Sequence, residues 1–228
     1  MIAKGIPADG VLHAWAINWP ESAREACGIE PWDPAEFRRD DVPKDRHKLY
    51  PYIRTLIEAG VPVYLKGPSQ AGKSFVLAQV ARDLSMPFRQ IPLTAGASTS
   101  WLLGTWTPQG WVEAGFPAIY TGGGVFLFDE IDAGDPNMLI VVNNAVSNDT
   151  LDNPRNGEVL RKSPLFRPVA AGNTWGTGAT SQYTGRARMD GATLERFRCG
   201  RVEVDYDPDM QEQIGDAAFA AAMNGEVA

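Results

Sequence analysis

Three short apolar runs, each ending at glycine or polar residues, punctuate the middle of this 228-residue chain. The first, Val61-Pro62-Val63-Tyr64-Leu65-Lys66, stops at Gly67. The second, Gly124-Val125-Phe126-Leu127-Phe128, runs into Asp129-Glu130-Ile131-Asp132. The third, Phe166-Arg167-Pro168-Val169-Ala170-Ala171-Gly172, leads to Asn173 and Thr174. Four consecutive apolar residues in the second run predict a strand buried on both faces, as in a parallel sheet. Pro62 falls at the start of its run, where a missing N–H does least harm. Helical periodicity lies between the runs. Leu77, Val80, Ala81 and Leu84 follow the i, i+3, i+4, i+7 spacing of one apolar face. From Lys48 a helix is expected to carry Leu49, Tyr52, Ile53, Leu56 and Ile57 on one side, with Pro51 in its tolerant first turn. Strands alternating with helices predict an α/β fold.

The junction after the first strand carries chemistry. Gly67-Pro68-Ser69-Gln70-Ala71-Gly72-Lys73-Ser74 is G-x-x-x-x-G-K-[ST], the phosphate-binding loop of a nucleotide triphosphatase. Its glycines let the chain wrap an anion, so that backbone N–H groups point inward. Lys73 brings a positive charge to the β and γ phosphates, and Ser74 offers a hydroxyl to Mg²⁺. The helix beginning there, with Phe75 in its first turn, adds its N-terminal dipole. A glycine-rich surface loop with an incidental lysine is the bland alternative, and the flanking strand and helix argue against it.

A phosphate loop needs a carboxylate for the metal. Acids at the C-terminal end of a buried strand sit at the ligand edge of an open α/β sheet. Asp129 is expected to hold Mg²⁺, and Glu130 to polarise the attacking water. Asp132 is expected to be a solvated loop acid or a cap for the next helix. Asn173 could orient the water or sense the γ-phosphate; taken alone, such a residue is more often a turn residue after a strand. Leu194-Glu195-Arg196-Phe197 then reads as a helix end running into a further strand. Arg196 suits transition-state charge because a guanidinium is planar and always protonated. Its bland alternative is a surface ion pair with Glu195 or Asp190. Arg186, Arg188 and Arg198 lie on the same stretch.

Together these motifs resemble AAA+ ATPases, and within them the branch of MoxR proteins and the small ATPase subunit of aerobic cobaltochelatase. The resemblance spans residues 42–208. Gly67–Ser74 matches Walker A, Val125–Glu130 matches Walker B and Asn173 matches sensor 1. Ala171-Gly172-Asn173-Thr174, Gly178, Tyr183-Thr184-Gly185 and Leu194-Glu195-Arg196-Phe197 are similar to the cobaltochelatase pattern, with Glu195 where that family usually has Asp. The segment Trp101–Tyr120, with a turn at Pro108-Gln109-Gly110 between Trp106 and Trp111, resembles the hairpin inserted into helix 2, here about 104–115.

The resemblance implies a P-loop NTPase AAA+ core with a five-stranded parallel sheet flanked by helices. It implies ATP and Mg²⁺ as ligands, with Gly67 to Phe75 as the nucleotide-binding residues. It also implies an arginine finger at Arg196 acting on a neighbouring subunit, and a homo-oligomeric ring, expected to be hexameric. The implied partner is a protein, in this branch often one with a von Willebrand A domain. Residues 1–41 are expected to form a docking segment, with a short helix at Glu21–Gly28 and with Trp15, Trp19 and Trp32. Residues 209–228 hold one helix, a truncated or minimal lid beside the family's full lid.

Composition narrows the function further. With 44% hydrophobic and 21% charged residues the chain is ordinary for a soluble globular protein. A net charge of −7 disfavours nucleic acid as a broad electrostatic partner. No run of about 18 apolar residues is present, so no transmembrane helix is expected. Cys27 and Cys199 form no C-x-x-C and read as reduced thiols of a cytoplasmic protein. His13 and His47 have no partners at metal-ligand spacing. The leading function is a ring ATPase that remodels a protein partner. A nucleotide-dependent assembly module with little turnover is the first alternative, and a phage-associated packaging motor the second.

Overall fold

The computed structural model describes residues 42–215 in full and the backbone of 216–223. The helix expected at 21–28, the three N-terminal tryptophans, His13 and Cys27 lie outside the described residues.

Helix α1 (Tyr50–Glu58) begins two residues later than expected from Lys48, with Pro51 in its first turn. His47 supplies the local reason: its Nδ1 accepts the Leu49 N–H at 3.0 Å, and Nε2 donates to the Asp205 carbonyl at 2.9 Å. The imidazole is fully buried and ties the approach to α1 to the segment that follows residue 203. Strand β1 (Val63–Lys66) follows, then α2 (Lys73–Asp83), β2 (Phe88–Pro92) and α3 (Thr99–Leu103). Strands β3 (Thr105–Thr107) and β4 (Gly110–Val112) form an antiparallel hairpin in which Trp106 opposes Trp111. Their rings meet edge to face at 5.7 Å, while Trp106 remains 63% exposed. After α4 (Gly115–Gly122) and β5 (Gly124–Asp129) comes a single 3-10 turn, Ile131–Ala133. Helix α5 (Pro136–Ser147) starts at a proline, and Asp135 caps it by accepting the Asn137 N–H at 2.8 Å. A second hairpin, β6 (Thr150–Asp152) and β7 (Val159–Arg161), precedes β8 (Phe166–Gly172), α6 (Gly191–Arg196), β9 (Gly200–Glu203) and α7 (Pro208–Met223).

The five longer-range strands form one parallel sheet in the order β2-β5-β8-β1-β9. This is the five-stranded parallel sheet expected from the sequence. Side chains alternate across it, as strand geometry requires. Val63, Leu65, Val125, Leu127, Val169, Ala171 and Val202 face α1 and α2. Tyr64, Phe126, Phe128 and Ala170 face α3, α4 and α5. The second face is aromatic: Phe116 of α4 packs on Phe126 at 4.9 Å and on Phe166 at 5.9 Å, both edge to face. Truncating a ring as buried as Phe126 would cost about 3–5 kcal/mol. Two packed faces hold the sheet rigid, and the C-terminal ends of β1, β5 and β8 open onto one edge. Among the described residues no helix is long and apolar enough to cross a membrane.

Candidate functional site

The turn from β1 to α2 builds the site floor. Gly72 sits at the N-cap of α2 with φ of 84°, left-handed backbone that favours glycine, and Gln70 has φ of 65°. The loop therefore curls back on itself and presents the helix N-terminus to a cleft of about 260 Å³. Ser69, Gln70, Gly72, Lys73, Ser74 and Phe75 line that cleft from below; Asp129, Glu130, Gly172 and Asn173 line it from the ends of β5 and β8. Three of the expected loop residues do not line it. Gly67 and Pro68 turn their carbonyls to Lys73 Nζ, which donates to them at 2.8 and 2.7 Å. Ala71 is fully buried in the core beneath.

Lys73 and Asp129 both line the cleft, one from the start of α2 and the other from the end of β5. Burial lowers the Lys73 pKa, against the upward pull of Asp129 and Asp132. Burial raises the Asp129 pKa, against the Glu130 N–H and Lys73, which lower it. Ser74 Oγ and Asp129 Oδ2 face each other at 3.5 Å. A hydroxyl and a carboxylate oxygen on one wall, beside a phosphate cradle, fit Mg²⁺, a hard cation that takes few protein oxygens and completes its shell with phosphate and water.

Glu130 leaves β5 in left-handed backbone, φ 52° and ψ 36°. For a non-glycine residue this conformation costs free energy and is typical of functional positions. It turns the side chain out of the sheet and towards the cleft, 45% exposed. Asn173 sits just past β8, and its neighbours fix its amide: the nitrogen donates to the Gly67 carbonyl at 3.0 Å and the oxygen accepts from Arg186 Nη2 at 2.7 Å.

One acid differs from expectation, and the candidate arginines part in position. Asp132 is not solvated and caps no helix; it is fully buried. Its Oδ2 accepts from the Asn173 N–H, the Thr174 N–H and the Thr174 hydroxyl at 3.0, 2.9 and 2.9 Å. Three donors from one turn tie the 3-10 turn to the end of β8, which neither run of residues reveals alone. Arg186, an alternative finger by position, lies against its own chain's site. Its Nη2 is 3.4 Å from Glu130 Oε1 and its Nη1 is 3.3 Å from Asp132 Oδ1. Arg196 does not reach this cleft. It ends α6, exposed, and Glu195 pairs instead with Arg198 at 3.2 Å. Cys199 is exposed and free, and no cluster of three metal-binding side chains exists among the described residues.

The family described as AAA domain (dynein-related subfamily) matches residues 62–197. An uncharacterized protein of Staphylococcus epidermidis is 28% identical over 163 residues, covering 67% of this chain and 59% of that protein. A Staphylococcus aureus protein, also uncharacterized, is 26% identical over 172 residues, covering 71% and 62%. The chain thus spans about three fifths of the length of these curated relatives. Among solved structures, a candidate ATPase from Cytophaga hutchinsonii superimposes with a TM-score of 0.58 at 15% identity, over 89% of this chain and 56% of that one. NtrX from Brucella abortus, in complex with ATP, superimposes with a TM-score of 0.55 at 14% identity, over 78% and 43%. At such identities the likeness is one of fold.

Proposed function

Because the chain belongs to the AAA domain family, in its dynein-related subfamily, we propose that it binds ATP with Mg²⁺ and hydrolyses it, and that it does so as a ring of identical subunits acting on a protein partner. One observation carries the hydrolytic reading: Lys73 and Ser74 at the start of α2, Asp129 and Glu130 at the end of β5, and Asn173 just past β8 line a single cleft at the sheet's C-terminal edge.

Each residue has a role that its geometry supports. The loop N–H groups and the α2 terminus take the phosphates, and Lys73 neutralises the β and γ oxygens. Ser74 and Asp129 would hold the metal, which supplies charge neutralisation on the transferring phosphoryl group. Glu130 accepts hydrogen-bonded water on the open side of the cleft and orients it for in-line attack. Asn173, fixed between Gly67 and Arg186, orients that water or reads the terminal phosphate. Arg196, exposed at the end of α6, is suited to act on ATP held by the next subunit. The MoxR and cobaltochelatase-like branch, with a partner bearing a von Willebrand A domain, is the finer reading that the sequence motifs favour.

The test is phosphate release from Mg·ATP at increasing protein concentration, for wild type and Glu130→Gln. Turnover that rises with assembly supports the ring ATPase. The variant should retain ATP and lose about 10²-fold or more in rate. Tight ATP binding with no turnover at any concentration would overturn hydrolysis and leave a nucleotide-dependent assembly module.

A further inference from the structure

Among the described residues, Arg186 is the one guanidinium paired with the acids at the end of β5. It does not line the cleft, and its side chain is only 12% exposed. One arm of its fork meets Glu130 and Asn173; the other meets Asp132. Asp132 is immobilised in turn by its three donors from Asn173 and Thr174. The arginine therefore hangs from a fixed carboxylate and reaches two groups that need aiming. We propose that Arg186 is a positioning residue that sets the side chains of Glu130 and Asn173 in the geometry for water attack, an assignment that rests on the ATP-hydrolase reading above.

The local backbone serves this placement. Gly176 has φ of 72°, and a β-carbon there would meet Met189 Sδ at 2.7 Å and its Cβ at 2.9 Å. Only glycine lets the segment after β8 fold back this closely. Met189 N–H then donates to the Gly176 carbonyl at 3.0 Å, and Ala187 N–H to the Asp132 carbonyl at 2.9 Å. These two bonds, one and three residues beyond Arg186, hold the segment that follows it beside the 3-10 turn and the Gly176 turn. Glu130 needs such a partner. Its left-handed backbone takes it off the strand, so the sheet no longer dictates where its carboxylate points. A planar fork spanning Glu130 and Asp132 restores that direction, whereas a point-charge ammonium cannot span both.

The experiment separates rate from binding. Arg186→Gln should lower kcat by about 10–10²-fold, the usual result of misplacing a reacting group by an ångström. The Kd for a fluorescent ATP analogue should stay within about threefold, because the residue lies outside the cleft. In single-turnover assays, Arg186→Gln added to Glu130→Gln should cause a further loss clearly smaller than its effect alone, since only the part that acts through Asn173 remains. Arg186→Lys should fall between wild type and Arg186→Gln. Removing Arg186 alone strands the buried Asp132 charge and could unfold the chain. The pair variant Asp132→Asn/Arg186→Gln removes both charges, and the same kcat loss is expected in it. Wild-type kcat in Arg186→Gln or in the pair variant, a loss that multiplies fully with that of Glu130→Gln, or a loss confined to ATP binding would each overturn the assignment. Absence of turnover in the wild type would instead overturn the hydrolase reading on which it rests.

Discussion

The α-carbon of Gly67 lies so close to Val204 that a β-carbon there would come within 1.9 Å of the Val204 carbonyl oxygen. That oxygen belongs to backbone fixed by the Val204 N–H bond to Lys66 O at 2.7 Å, so it has no room to yield. Gly67 is thus constrained twice, by the phosphate loop that begins there and by the backbone at Val204, just past the end of β9.

Gly67→Ala should accordingly destabilise the fold itself, apart from any loss of nucleotide. A backbone clash of this kind belongs among the exceptional substitutions, roughly 4 kcal/mol or more. For a domain of this size that lowers Tm by about 8 °C or more. Thermal unfolding without ATP is the measurement. An unchanged Tm would mean that β1 and β9 part easily at Lys66.

Lys73→Ala should lose ATP binding, because Lys73 is the cation that the loop itself aims into the cleft. Truncating one partner of a close charge pair costs about 2–5 kcal/mol, or more than about 30-fold in Kd. Mg·ATP in excess should raise the Tm of the wild type by mass action and leave that of the variant unmoved. Equal shifts would deny the phosphate loop its role.

Asp83 links the end of α2 to α1: its Oδ2 accepts from Tyr50 Oη at 2.6 Å and from Arg46 Nη2 at 2.9 Å. The Tyr50 hydrogen bond, then Arg46, holds the Asp83 pKa below its ordinary value. A carboxyl depressed on folding contributes stability above its unfolded pKa and loses it as pH falls through the folded one. Asp83→Asn should therefore lower Tm by a few degrees at neutral pH. The gap to wild type should narrow as pH falls below the ordinary carboxylate range and close once the folded carboxyl is protonated, where both carry an uncharged group. A gap that persists in acid would place the effect in packing.

The parts of this site that local sequence could announce were those written in contiguous residues. Gly67 to Ser74, the acids ending β5 and Asn173 ending β8 each follow a buried apolar run, so period and motif mark them together. Asp132 and Arg186 carry no such mark. Asp132 resembles any acid after a strand until the fold brings Thr174 to it, and its burial is a tertiary fact. Arg186 sits in a glycine-rich stretch whose direction is set by the turn at Gly176, 56 residues in sequence from the Glu130 it meets. Strands β6 and β7, three residues each, are too short for any periodicity. The start of α1 depended on the buried His47, whose ring acceptor no pattern of apolar residues displays.

Arg196 is expected to act on ATP held by a neighbouring subunit. It is exposed at the end of α6, carries no ion pair among the described residues and does not reach its own cleft. An arginine supplied to a transferring phosphoryl group is worth roughly 10³-fold or more in rate. Arg196→Ala should bind ATP like the wild type and hydrolyse it poorly. Mixing decides whether it acts in trans. Arg196→Ala keeps its phosphate loop and Lys73→Ala keeps its arginine, so rings containing both should have some interfaces with an intact pair. Activity should then return in part. A mixture that co-assembles, yet stays as inactive as either variant alone, would return Arg196 to the surface of α6 as an ordinary solvated charge.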